Sequence, residues 1–217
     1  MLERPTGKKR VTDDAWKEDK KREQIKPTFI GNENQTDFQN AADIASIEYY
    51  PNLANQFYVF NDESSGGIRV TISNEYDGIE ITVYDKHVHI DHVRFDSNNQ
   101  GVGNGAAWFD SVVTNSINQN KEQITLKASK SENDNGYYTW ARLGFDAPIK
   151  PYMIAEARNI GIDAFTVMDL MRTQKGRDLW KKKGHGFDYM TFNLSEDSTN
   201  MLALKVYIDE KRRDFNG

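Results

Sequence analysis

Between Ile68 and Val83 apolar and polar residues trade places one by one. Ile68, Val70 and Ile72 alternate with Arg69, Thr71 and Ser73, and then Ile79, Ile81 and Val83 alternate with Glu80 and Thr82. A period of two sends each apolar set to one face of a strand, so two half-buried strands are predicted. Asp77-Gly78 supplies the turn between them, because this pair readily takes the positive φ of tight hairpins. A third strand, from Val88 to Phe95, follows the short Asp85-Lys86 connection, which makes an antiparallel meander of three.

The period then changes. After the glycine-rich stretch Gln100-Gly101-Val102-Gly103-Asn104-Gly105, the residues Phe109, Val112, Val113 and Ile117 fall on one face at helical spacing. Ile124, Leu126 and Ala128 alternate with Thr125, Lys127 and Ser129 as a further strand, and Tyr137 to Leu143 reads as a helix that Gly144 ends. The predicted unit is β-β-β-α-β-α. Upstream, Phe38, Ala41, Ala42, Ile44, Ala45 and Ile47 mark an amphipathic helix from Asp37 to Tyr50. Beyond Pro148 the pattern predicts helices from Ala164 to Arg172 and from Arg177 to Lys183, then a strand from Phe187 to Leu194. A last helix starts near Ser198, with Leu202 and Val206, beside Leu204 and Ile208, as its apolar side.

These elements describe an α/β (α+β) chain with a mixed, mostly antiparallel sheet flanked by helices. Residues 1–36 are polar, hold two of the five prolines and lack a sustained apolar period, so they read as an extended or partly disordered arm. Residues 37–150 form the core unit, and residues 151–217 a C-terminal helical extension that completes the core or is appended to it.

Composition narrows the function classes. With 217 residues and 37% of them hydrophobic, the chain is long enough for one sizeable core. It has no cysteine, which excludes a disulfide framework, thiolate-ligated zinc and a thiol nucleophile. No stretch reaches the roughly 20 apolar residues of a membrane span, and Met1 to Arg10 lacks an apolar signal region, so a cytoplasmic protein without a membrane partner is the expectation. The net charge of −5 is uneven: residues 1–26 carry nine Lys/Arg against six Asp/Glu, and the rest nineteen against twenty-seven. The basic arm suits nucleic acid or an acidic protein partner, although a mixed run such as Lys17 to Glu23 is commonly just a solvated leader. The acidic body argues against a nucleic-acid groove.

Three readings compete for the glycine-rich loop. Such a turn can simply connect a strand to a helix. Gly101-x-Gly103-x-x-Ala106 also fits a dinucleotide fingerprint. That fingerprint needs a continuously apolar strand before it and an acidic residue after the next strand; His89, Asp91 and His92 break the first condition, and Lys127-Ala128-Ser129-Lys130 the second. In the third reading, backbone amides at a helix start, with glycines that let an anion approach closely, cradle a phosphate.

Gln100-x-x-Gly103-x-Gly105 resembles the R/Q-x-x-G-x-G/A motif of the GNAT superfamily of N-acetyltransferases, and Trp140-Ala141-Arg142-Leu143-Gly144-Phe145 resembles that family's Y-x-K-x-G-F. The resemblance spans residues 68–145. It implies a GNAT-like fold and an acyl-CoA-dependent N-acyltransferase, with acetyl-CoA as co-substrate and a small-molecule or protein amine as acceptor. The implied pyrophosphate site is the backbone of Gln100, Gly101, Val102, Gly103, Asn104 and Gly105, with the pantetheine arm paired to the backbone of Val93 and Phe95. Asn133 matches a family asparagine that touches pantetheine; read from the residues alone, it can equally cap a helix.

Amide formation needs a neutral amine, a base to make it so and an acid for the departing thiolate. The resemblance implies Asp91 as the base acting through water. The strand period puts His89 on the same side as Asp91 and His92 on the other, and the Asp91–His89 pair reads equally as a surface cross-strand contact. The family's acid is a tyrosine where this chain has Trp140, which leaves Tyr138 as the candidate substitute, or Tyr137, with core packing as the other role for both. A non-catalytic GNAT-like interaction protein is the alternative. Lys181-Lys182-Lys183-Gly184 reads as an ordinary helix C-terminus, and His185 has no partner at metal-ligand spacing.

Overall fold

The computed structural model describes residues 26–31, 34–46, 56–73, 78–94, 104–131 and 136–216. One sheet of seven strands organises them, in the order of the chain: β1 (Thr28–Ile30), β2 (Gln56–Asp62), β3 (Gly67–Ser73), β4 (Gly78–Val83), β5 (His87–Arg94), β6 (Gln123–Ala128) and β7 (Phe187–Asn193). Neighbours are antiparallel except β1/β2 and β5/β6. The fold is therefore α/β with an open, mostly antiparallel sheet. The helices among the described residues are α1 (Gln35–Ala45), α2 (Asn104–Asn118), α3 (Gly136–Arg142), α4 (Pro151–Asn159), α5 (Val167–Met171), α6 (Gln174–Lys183) and α7 (Thr199–Asn216). None is long and apolar enough to cross a membrane.

Alternation along the strands separates the two faces of the sheet. Val59, Val70, Ile72, Ile81, Val88, Ile124, Leu126 and Phe192 point to one side and join the buried faces of the helices in one apolar cluster. Arg69, Thr71, Glu80, Thr82, His89 and Thr125 occupy the other side and take no part in that cluster. Under the helices, Phe109 of α2 is the hub of an aromatic group, with ring centroids 5.1 Å from Phe145, 5.2 Å from Phe192 and 6.1 Å from Trp140. Edge-on and tilted packing of this kind suits ring quadrupoles and stabilises beyond area burial alone.

Several boundaries depart from the sequence reading. The meander has four strands, not three, because Gln56–Asp62 pairs along its whole length with β3. Its run Phe57-Tyr58-Val59-Phe60 is apolar on both faces and so lacks the alternation that would mark it. Thr28–Ile30 forms a short parallel edge strand in the stretch read as an arm. Helix α1 stops at Ala45 rather than Tyr50. Ser46 adopts a left-handed conformation, φ 55°, and α2 side chains take the carbonyls the helix leaves open: Trp108 Nε1 donates to Ala45 and Asn115 Nδ2 to Asp43. Residues 47–50 lie outside the described residues, as does Asp77 of the expected hairpin turn. Helix α5 is shorter than the stretch from Ala164 to Arg172, since Thr166 and Asp169 close a capping box just before Val167. Helix α4, absent from the sequence reading, starts with Pro151 at a first-turn position, where a missing N–H costs nothing.

The expected faces of two helices also change. Leu202 and Val206 are exposed, at 57% and 55%; of the expected apolar side Leu204 is buried, and Asn200 turns inward with it. The reason lies at Gly144. Its φ of +106° brings its backbone against α7, where Asn200 Nδ2 donates 2.7 Å to the Gly144 carbonyl. A buried amide needs that partner, which fixes the rotation of the helix. Ile117 of α2 is 40% exposed rather than packed beside Phe109 and Val113.

Candidate functional site

Strand β5 is the centre of the candidate site, and its two halves have different neighbours. His87 to Ile90 lie between β4 and β6, in parallel register with Gln123 to Leu126. At Ile90↔Leu126 that ladder ends. β5 continues as a strand to Arg94, still paired to β4 through Arg94↔Gly78, whereas β6 follows β7 to Ala128↔Phe187. Among the described residues, the β6-side edge of β5 from Asp91 to Arg94 therefore has no partner strand. An edge of this kind carries backbone donors and acceptors that an extended ligand can pair with.

A bulge sits where the pairing ends. Ile81 faces Ile90 and Glu80 faces His92, so Asp91 is an extra residue in the ladder. This corrects the strand-period reading of His92: opposite Glu80, it shares the polar face with His89 instead of pointing to the other side. Val93, opposite the buried Ile79, turns toward the core. Bulges re-aim side chains and recur next to active sites. Asp91 is exposed, and Thr82 Oγ1 donates 2.7 Å to its Oδ2. His89 does not pair with it; its Nδ1 is 2.8 Å from Thr125 Oγ1.

The polar face extends this arrangement across three strands. Arg69 reaches Asp62 at 2.6 Å and Glu80 at 2.7 Å. Burial works against the Arg69 charge, and Asp91, Glu80 and Asp62 together more than offset it, raising its pKa. Hydrogen bonding from Ser64 holds the Asp62 carboxyl down at about 2 against the opposing effect of burial, with Ser65 and Arg69 adding to the same direction. At the far end of β5, the His87 ring stacks on Tyr84 with centroids 4.3 Å apart. Burial lowers the pKa of His87, and His89 and Lys121 lower it further.

The tyrosines of α3 take different positions. Tyr137 is buried against Trp180, and its hydroxyl donates 2.7 Å to the Lys181 carbonyl, so it is held in the packing. Tyr138 is partly buried, with Lys181 Nζ 5.7 Å from its ring centre, and among the described residues its hydroxyl makes no hydrogen bond. Trp140 lies edge-on to Phe109 and Phe145 within the aromatic group. No hydrogen bond joins Asp91 to Tyr138 among the described residues, directly or through a shared partner.

Of the predicted cofactor residues, Val93 lies on the unpaired stretch of β5, and Asn104 and Gly105 form the first turn of α2. Phe95, Gln100, Gly101, Val102, Gly103 and Asn133 lie outside the described residues. Arg69, Thr82 and Thr125 were missed as site residues, since alternation alone marks them only as the solvent side of half-buried strands. The lysines at the end of α6 and the Gly184 N–H, which donates 2.7 Å to the Trp180 carbonyl, form a helix terminus as read. No group of three or more His, Asp or Glu side chains among the described residues is placed to hold a metal ion. Comparison of the chain with known protein families and with curated proteins finds no match to either.

Proposed function

We propose that the chain is an acyl-CoA-dependent N-acyltransferase, with acetyl-CoA as co-substrate and an amine as acceptor, on a GNAT-like arrangement of its sheet. The observation that carries this reading is the end of the β5/β6 ladder at Ile90↔Leu126 while β5 runs on to Arg94, with the crossover helix α2 beginning at Asn104 just after it. The edge suits the amide groups of a pantetheine arm beside Val93 and Phe95, and the stretch from Gln100 to Gly105 supplies amides for a diphosphate. Asn133 is a further candidate contact to the arm.

Asp91 serves as the base that keeps the amine neutral, held outward by the bulge and oriented by Thr82. Tyr138 serves as the acid for the leaving thiol, because its neighbour's hydroxyl is already committed to Lys181. A second reading, a GNAT-like protein that binds or scaffolds without turnover, is favoured by one observation: Trp140 occupies the family's tyrosine position and is packed edge-on in the aromatic group.

Calorimetric titration with acetyl-CoA, followed by thiol release over a panel of amines, separates the readings. Saturable binding and thiol release that Asp91→Asn slows by about a hundredfold or more supports the transferase, the range expected for loss of a general base. Binding without release under any amine supports the second reading. Gly105→Glu is expected to abolish binding with the fold intact by circular dichroism; unchanged affinity in that variant removes the loop from the site.

A further inference from the structure

The exposed apolar residues of α7 border an open groove of about 290 Å³, lined by residues of α3, α5, α6 and α7 and by Arg172. Along one wall the lining residues Thr199, Leu202, Ala203, Val206, Tyr207 and Glu210 recur at the three- and four-residue spacing of a single helix face. At about 1.5 Å of rise per residue this stripe makes a groove roughly 16 Å long. Its floor includes Met168 and Met171, unbranched side chains that adapt to irregular apolar shapes.

Charge at the rim is one-sided. Arg142, Arg172 and Arg177 line the cavity against a single acid, Glu210. Glu210 is already paired with Arg142. Arg177 donates to Gln174 and to the Met171 carbonyl, with no carboxylate partner among the described residues. Arg172 is 65% exposed and stands 3.7 Å from Asp169. Arg177 thus carries a charge that only uncharged acceptors meet, and Arg172, exposed and in loose contact with Asp169, adds a second guanidinium beside the apolar channel.

Size decides among occupants. The volume is at the lower limit of ordinary ligand pockets, roughly 300 to 1,000 Å³, which suits a slim chain better than a bulky fused ring system. A stable protein partner generally needs an interface above about 1,000 Å², far more than one groove with two exposed side chains offers. We propose that this groove binds an unbranched acyl chain with an anionic head, such as a medium-chain carboxylate. The chain lies over Met171, Ala203 and Val206, and the head group meets Arg172 and Arg177. This assignment rests on the α5/α7 groove and is independent of the β5 edge.

Titration of the full chain with sodium decanoate, below its micellar concentration, tests it. Saturable one-to-one binding is expected, and Ala203→Trp, which fills the channel, is expected to weaken it at least about tenfold. Val206→Glu puts a negative charge on an exposed position that folding tolerates, and should weaken it to a similar degree, while Arg172→Glu with Arg177→Glu abolishes the preference for decanoate over uncharged decanol. Absence of saturable binding, equal affinity for decanol and decanoate in the unsubstituted chain, or binding indifferent to both Ala203→Trp and Val206→Glu would overturn the proposal. So would a dimer in light scattering that Leu202→Asp dissociates, because the groove would then be a contact between two copies.

Discussion

The two faces of the sheet are built from the same strands on different terms. On the covered face every second residue is aliphatic or aromatic and meets helices in one continuous cluster. On the open face the same strands present Arg69 between Asp62 and Glu80, Thr82 on Asp91, and His89 beside Thr125. Burying apolar area supplies most folding free energy, whereas half-exposed ion pairs supply little. The contrast teaches that the exposed and partly exposed side chains of the polar face are restrained mainly by one another, so they can be replaced at smaller thermodynamic cost than the buried Thr82 and Thr125 between them. Chemistry is best sought there.

Substitutions that test this contrast should differ in size by face. The largest effect is expected for Trp108→Ala, which empties a fully buried site and leaves the Ala45 carbonyl without its donor. A loss of about 3–5 kcal/mol in urea unfolding is expected. Gly144→Ala should follow at roughly 3 kcal/mol, because a Cβ there would stand 2.6 Å from the Asn200 carbonyl oxygen at a φ that L residues resist. Arg69→Leu, on the polar face, should cost less, about 1–2 kcal/mol: its side chain and that of Glu80 are about a third exposed, although Asp62, 10% exposed, loses its cation. A loss as large as that of Trp108→Ala would break the comparison.

The smallest expected effect is a pH dependence shared by both regions. His87 on the open face and His185, tilted over Phe187 at 4.5 Å on the C-terminal side, both have lowered pKa values, first of all because burial penalises the charged ring. Lys150 and Lys130 add to this at His185, against a hydrogen bond to the Gly186 carbonyl. With folded values below the unfolded one, the folded chain binds fewer protons. Stability is therefore fully present above about pH 6.5 and is lost as pH falls below it. Thermal unfolding between about pH 7.5 and 5.5 should show this slope, and His185→Phe with His87→Phe should flatten it.

What was readable in the sequence follows from periodicity. Strands β3, β4 and β6 and helices α2 and α3 have one polar face and one apolar face, and their patterns say so. Strand β2, with Tyr58 and Phe60 on its outer side, hides its period behind aromatic residues. The rotation of α7 was illegible for a different reason: its apolar residues lie two apart, and a tertiary contact, Asn200 to Gly144, selects which of them face inward. At the candidate site, Asp91 and Val93 were legible as strand residues. The placement of His92 was not, since alternation assumes an unbroken ladder and the bulge breaks it.

That irregularity has an architectural consequence. Strike Asp91 out of the chain and Ile90 is followed by His92, Val93 and Arg94, which then alternate inward and outward without any misfit against β4. The ladder does not need this residue; its presence adds one link of backbone and sets an acidic group, held by Thr82 and acting on the Arg69 charge, out over the rim of the sheet.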